Sequence, residues 1–427
     1  MNKILNKIFR LIDKISDPPI SYPTLPFSLI ALRSILNPKS TGNFFFGLIN
    51  ILKIFSSVIF TPICIVLRLF RYRFVSIDLS QLGSICYLEI TLRELILKQY
   101  SKNKIIICYS KFRVPNPFAL SLYKNHAVFI SSPIIKILLT PFFINFFSRT
   151  TTFKYDPSFY LSSKKSNNCQ YYKIYNDFQK KYGSLIAIPN YMKSKGNYSI
   201  KKLGIYKPYV VFHARDSGYY GIETQTTRNS NIFSCFKAID YLIEQGYQVV
   251  RVGDKNMVDI SVQLNIYDGN LIDYAKSEYK SPFMDCYLFS KASFYIGCSS
   301  GVMALALMFH KRSCYINFHE ISHSLGLRDD DLTIFKSVRS FKDNSLIGLS
   351  GILNRPILNN LNKKWLDKNG YFLEDNTEEE IFQCIKEFIE RPSLTQKQIK
   401  MKTYITDKHF SWLAHGNFAN CIAEKYI

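Results

Sequence analysis

The stretch Tyr209–Ser230, YVVFHARDSGYYGIETQTTRNS, decides the reading of the fold. Its apolar opening, Tyr209-Val210-Val211-Phe212, reads as a buried strand. The run ends in His213-Ala214-Arg215-Asp216-Ser217-Gly218. A buried strand that emits His, Arg and Asp at its C-terminal end, then a Gly, is how an open α/β sheet presents polar groups to a ligand. Arg228-Asn229-Ser230 then precedes a helical pattern that starts near Asn231. Two arginines thus reach one rim, Arg215 at a strand end and Arg228 before a helix. Guanidinium forks match phosphate oxygens, and helix N-termini add their dipole, so this is an anion clamp in outline.

Working outward, the second half alternates strand and helix. Asn231–Gln245 places Phe236, Ile239, Leu242 and Ile243 on one helical face, with Gly246 as its stop. Val249–Val252 is a strand ending in Gly253-Asp254, and Phe283–Ser290 is a helix. Phe294–Ile296 is a strand ending in Gly297-Cys298-Ser299-Ser300-Gly301, followed by the apolar helix Val302–Phe309, the strand Cys314–Phe318 and the late helix Glu378–Ile389. Such alternation predicts a parallel, doubly wound sheet. The small residues Ser299, Ser300 and Gly301 let backbone N–H groups approach an anion, and their hydroxyls add donors.

The first half repeats the theme more faintly. Phe74–Asp78, Ile105–Cys108 and Ala127–Ile130 read as strands, with a polar Leu82-Gly83 turn and a helix through Glu89, Arg93 and Glu94. Glu89 reads as a surface carboxylate or as a group facing an acceptor. The polar run of Tyr155–Asn168 reads as loop, and the basic, Gly-containing Tyr191–Lys202 as turn-like, which sets a domain boundary there. The expected fold is α/β, with residues 74–202 and 203–427 as two Rossmann-like domains.

Residues 1–73 are different in kind. In Met1–Asp17, Ile4, Ile8, Leu11, Ile12 and Ile15 share one helical face with Lys3, Lys7, Arg10 and Lys14 off it. That pattern suits an anionic membrane surface, or a helix packed on the protein itself. Ile54–Leu67 is uninterruptedly apolar but short of the roughly 20 residues a spanning helix needs, and Arg68, Arg71 and Arg73 follow at once. An interfacial helix is the expectation, with the downstream domains on the cytoplasmic side.

The 427 residues suffice for two α/β domains, and 47% hydrophobic content rules against wholesale disorder. The formal net charge of +23 points to a polyanionic partner: nucleic acid, anionic membrane or phosphorylated substrate. No nucleic-acid module is recognisable, and the basic residues cluster beside the apolar N-terminal segments, which favours the membrane. Ten cysteines without a C-x-x-C pair fit a reducing cytoplasm.

The HARDSGYY…RNS segment, the YLIEQGYQVVRVG segment and the later CSSG–helix resemble a family of bacterial glycosyltransferases found among surface-polysaccharide enzymes, of two-domain GT-B type and distantly similar to heptosyltransferases and protein O-fucosyltransferases. The resemblance is best over Val210–Ile389, extends from Phe74, and does not cover the first seventy or so residues. It implies transfer of a sugar from a nucleotide-sugar donor to a glycan or lipid-linked glycan acceptor in lipopolysaccharide or capsule synthesis. The place of work would be the cytoplasmic face of the bacterial inner membrane, the enzyme being peripheral or monotopic. By the same resemblance Arg215 and Arg228, with Asn229 beside them, hold the diphosphate, and Ser299, Ser300 and Gly301 lie at the phosphates. The turn here has CSSGV where many relatives carry a Thr-rich version followed by an acid. No metal or other cofactor is expected, because fixed cations can stabilise the leaving diphosphate. His213 or Asp216 is a candidate base. The competing readings are a sheet-edge hydrogen bond for His213 and orientation of Arg215 for Asp216.

One rival motif stands apart. His319–Asp329, HEISHSLGLRD, fits H-E-x-x-H-x-x-G-x-x-D, the pattern of a zinc hydrolase. It follows directly on a strand, with no long helix leading in, and the next methionine after it is Met401. It therefore reads as a polar loop, as does Asp329-Asp330-Asp331. A non-catalytic protein that binds polyanions or membranes is the other alternative.

Overall fold

The computed structural model describes residues 72–76, 79, 81–97, 104–108, 114–139, 152–154, 169–218, 226–319, 328–353, 357, 362–408 and 416–427, with helical positions between 55 and 69 and residue 70. The basic helix read in Met1–Asp17, the acid Asp78 and the loop of 155–168 lie outside the described residues. The chain divides into two compact units, Met1–Ser166 and Asn167–Ile427.

The first unit carries a parallel four-stranded sheet of order β3-β2-β1-β4, formed by β1 (Tyr72–Ser76), β2 (Lys104–Cys108), β3 (Val128–Ile130) and β4 (Thr152–Lys154). The helix α1 (Ile85–Leu97) follows β1. It buries Leu88, Leu92 and Leu95 as its apolar pattern requires, and it also buries Glu89 and Arg93. Glu89 is thus no surface carboxylate. It accepts hydrogen bonds from Arg93 Nε at 2.7 Å and from Tyr123 Oη at 2.5 Å, and all three side chains are withdrawn from solvent. Burial raises the Glu89 pKa, while Arg93 and Tyr123 pull it back down.

The second unit opens with α2 (Cys169–Tyr182) and α3 (Asn190–Lys202). Its strands are β5 (Tyr209–His213), β6 (Gln248–Arg251), β7 (Leu271–Asp273), β8 (Tyr295–Gly297), β9 (Ser313–Phe318), β10 (Leu332–Phe335) and β13 (Asn417–Phe418). They form one parallel sheet of order β13-β10-β9-β8-β5-β6-β7. A small antiparallel pair, β11 (Ser337–Ser340) and β12 (Tyr371–Glu374), stands beside it. Between strands run α4 (Phe236–Glu244), α5 (Pro282–Lys291) and α6 (Met303–Met308), and α7 (Glu378–Glu390) comes late. The fold is therefore mixed α/β with parallel sheets, as the alternation predicted.

The central strands are apolar throughout because helices cover both faces of such a sheet. Val210, Val211, Phe212, Val249, Val250, Ile296 and Ile316 are fully buried, each stabilising by about 1.5–3 kcal/mol. Local chemistry sets the helix ends. Ser281 caps α5 through Met284 N, with Pro282 at its first position. Thr377 and Glu380 close a reciprocal capping box on α7.

Tyr191–Lys202 is not turn-like. It is the helix α3, and contacts place residues after 166 with the second unit, earlier than the 202/203 boundary read from sequence. The anchor is Gly196. A Cβ there would lie 2.3 Å from the Tyr287 ring of α5, while Tyr287 Oη donates to Lys193 O and meets Asn197 Oδ1. Gly196→Ala is expected to destabilise the second unit by about 1–3 kcal/mol through overpacking, read as a lower melting temperature.

Candidate functional site

The chain runs β5-β6-β7 outward in one direction, then returns to β8 and continues through β9 and β10 in the other. The order reverses between β5 and β8, and the crevice outside the carboxyl ends of those strands is where open α/β sheets bind ligands. Both stretches picked out by sequence end there. β5 delivers His213-Ala214-Arg215, and β8 delivers Gly297-Cys298-Ser299-Ser300-Gly301.

The backbone knits these ends together. Cys298 N donates to His213 O at 3.2 Å, Ser230 N to Arg215 O at 2.7 Å, and Arg215 N to Cys298 Sγ at 3.0 Å. Arg228 Nε donates to Ser299 O at 3.2 Å, so the two arginines and the small-residue turn are brought to one place. Gly297 allows the approach, since a Cβ there would stand 2.2 Å from Tyr295 Oη and 2.9 Å from His213 O. The amides of Ser299, Ser300 and Gly301 donate to no group among the described residues. The following helix, α6, is only six residues long, so these amides offer donors more than a helix dipole.

A third cation joins them that sequence reading missed. Lys336, after β10, is buried, donates to Asn229 O and pairs with Asp375 at 2.6 Å. Arg215, Arg228 and Lys336 all act on the buried Cys298 thiol. Burial raises its pKa and the three cations lower it. Asn317, in the left-handed region at φ 48°, donates from Nδ2 to Ser230 Oγ at 2.8 Å and exchanges bonds with Asn376. No local pattern announces Lys336 or Asn317, because their partners lie some forty to one hundred and seven residues away. Asn229 itself turns a buried Oδ1 that has no partner among the described residues.

His213 is buried, and its Nδ1 lies 2.8 Å from Val252 O. A carbonyl only accepts, so Nδ1 carries the proton and Nε2 holds a lone pair. That Nε2 is enclosed without a partner among the described residues. Burial pushes the imidazole pKa down to about 4, against smaller upward pulls from Val252 O and Asp216. Gly253, at φ 149°, lets the next loop pass the ring, since a Cβ there would lie 3.2 Å from His213 Nδ1. The sheet-edge hydrogen bond expected as one reading of His213 is therefore present. Asp216 accepts from Gly218 N at 2.9 Å and from Val258 N at 2.7 Å, so its carboxylate ties the loop after β5 to the loop after β6.

The His213 environment carries a pH dependence. Below about pH 6.5 the unfolded imidazole takes a proton that the folded one refuses until about pH 4. Stability contributed by His213 is thus intact at neutral pH, falls between those values and levels off beneath them. The wild-type protein is expected to lose up to about 3 kcal/mol more than His213→Gln between pH 7 and pH 4, by denaturant titration at each pH.

In the rival motif, His319 follows β9, while Glu320 and His323 lie outside the described residues. Of the aspartates read as a solvated loop, Asp329 is exposed, but Asp330 and Asp331 are engaged. Asp330 pairs with Arg328 at 2.8 Å and with Arg312. Asp331 is buried and accepts from Ser313 N at 2.7 Å, with burial pushing its pKa up to about 8.

No protein-family model and no curated protein matches the sequence. Solved structures do resemble the fold. The dodecameric iron-containing heptosyltransferase TibC, solved with ADP-D-beta-D-heptose, aligns at 14% identity over 58% of each chain, with a TM-score of 0.32. Heptosyltransferase II of E. coli, an ADP-heptose enzyme, aligns at 13% identity over 57% of this chain and 84% of that one, with a TM-score of 0.34. A family 9 glycosyl transferase from Veillonella parvula aligns at 10% identity over 76% of this chain and 98% of its own, with a TM-score of 0.42. Likeness at these values assigns no role to any residue.

Proposed function

We propose that the chain is a glycosyltransferase of GT-B type that takes its sugar from a nucleotide-sugar donor. The observation that carries this reading is that Arg228 donates to Ser299 O, the Arg215 backbone holds Cys298 and Lys336 holds Asn229, all where the strand order reverses and beside a turn whose amides at 299–301 donate to no group among the described residues. Glycosyl transfer breaks the bond between the sugar and the diphosphate, and negative charge grows on the departing phosphate as an acceptor hydroxyl attacks. Fixed guanidinium groups and amides already aimed at that position offset the charge without reorganising. Buried surroundings strengthen each of these interactions relative to water.

His213 and Asp216 enter as positioning groups. His213 holds the end of β5 against β6 through Val252, and Asp216 fixes the loop that follows. The acceptor is proposed to be a glycan or lipid-linked glycan of the cell surface. The enzyme would sit on the cytoplasmic face of the inner membrane through its N-terminal region. Among the described residues no helix is long and apolar enough to cross a membrane. The helical positions between 55 and 69 nonetheless turn Phe55, Val58, Ile59, Val66 and Leu69 outward, which suits an interfacial helix. Incubation with a panel of nucleotide sugars and membrane glycolipid extract tests the assignment. One donor is expected to release its nucleoside diphosphate only when acceptor is present, and silence across the panel contradicts it.

A further inference from the structure

The helix α3 turns an unusual face to solvent. Gly196 and Ser199 are buried against the second unit, which leaves Lys193, Lys195, Lys201 and Lys202 exposed. Tyr191 and Tyr198 stand among them, 84% and 60% exposed. Between Asp177 and Asp216 the chain has seven lysines and no carboxylate. Beside Tyr198 and Lys202, burial and then Glu278 and Tyr198 push the Tyr279 pKa up, while Lys202 lowers it. The helix is held rigid by Tyr287, as described above. It presents exposed ammonium groups and phenol rings along one helix.

We propose that this face of α3 binds anionic lipid headgroups, so that the second unit makes its own contact with the bilayer. The proposal rests on the membrane placement given above and adds a second point of attachment to it. Ammonium groups on flexible stems are point charges that meet phosphates without a required geometry. Tyrosine has an apolar ring and a polar tip suited to the headgroup level. The first unit points to the same occupant by a different chemistry, since its exposed helical arc at 55–70 is apolar and ends with Leu69 and Phe70 outward.

The test uses the full chain in vesicle flotation, with phosphatidylglycerol–phosphatidylcholine vesicles against phosphatidylcholine alone, at increasing salt. In the variant Lys193→Gln/Lys195→Gln/Lys201→Gln/Lys202→Gln, partition onto the anionic vesicles is expected to fall at least about tenfold. Its salt dependence should flatten, while binding to phosphatidylcholine and the melting temperature match wild type. A second variant, Ile59→Asp/Val66→Asp, is expected to lose binding to phosphatidylcholine while keeping a weaker, salt-sensitive binding to the anionic vesicles through α3. Equal binding of wild type and the lysine variant to anionic vesicles overturns the α3 contact and leaves the membrane placement standing. Failure of wild type on both vesicles overturns the membrane placement itself, and this proposal with it. Binding of heparin that is lost in the lysine variant, with flotation unchanged, overturns it in favour of an anionic glycan.

Discussion

Arg215→Ala and Arg228→Ala are each expected to lower kcat/KM for sugar transfer by about 10²–10³-fold, the usual cost of removing a donor aimed at developing negative charge. The geometry explains why both matter. Arg215 leaves the end of β5 with its amide on Cys298 and its carbonyl on Ser230. Arg228 reaches the same turn through Ser299 O. Both of the Arg215 ties are made by its backbone atoms, so truncation of its side chain leaves them in place. Most of the loss should fall on kcat, because charge on the leaving diphosphate is greatest in the transition state. Lysine at either position should restore part of the rate, since the charge returns but the planar fork does not. Steady-state kinetics with matched circular dichroism spectra checks this, and unchanged turnover in both variants would remove the clamp from the mechanism.

The second large effect is on stability and lies in the first unit. Glu89→Ala is expected to cost about 3–5 kcal/mol, because it removes a charged partner from a fully buried guanidinium. Arg93 would lose its 2.7 Å ion pair, and Tyr123 its acceptor, with no exposure to water to compensate. Glu89→Gln keeps the shape and one acceptor oxygen, and should cost less. Removing Glu89 and Arg93 together in favour of apolar residues should cost less than Glu89→Ala alone. Denaturant unfolding of the full chain, followed by limited proteolysis of residues before 166, separates loss of the first unit from loss of the second.

The parallel sheet of the second unit was legible because β5, β6, β8 and β9 are continuous apolar runs that end in Gly or polar residues. β7 and β10 were not, since LID and LTIF are too short to show a period. The helix α3 hid for a different reason. It packs through Gly196 and Ser199, which bring backbones close without an apolar stripe. The places of Arg215, Arg228 and the Ser299–Gly301 turn in the fold were legible because each sits at a strand end or beside a helix start. Lys336 became part of the site only through β10 and Asn229, a pairing of residues 107 positions apart. Glu89 was misread because a carboxylate on a helix is usually exposed, and the partner that buries it, Tyr123, is 34 residues away.

The most direct measurement is a thermal-shift titration of the full chain against nucleoside diphosphates of each base, with zinc and a chelator in parallel. One diphosphate should raise the melting temperature in a saturable way, the shift should disappear in Arg215→Ala and Arg228→Ala, and neither zinc nor chelator should change it. No response to any nucleotide, together with destabilisation by chelator that zinc restores, would contradict the clamp and point instead to His319 and His323.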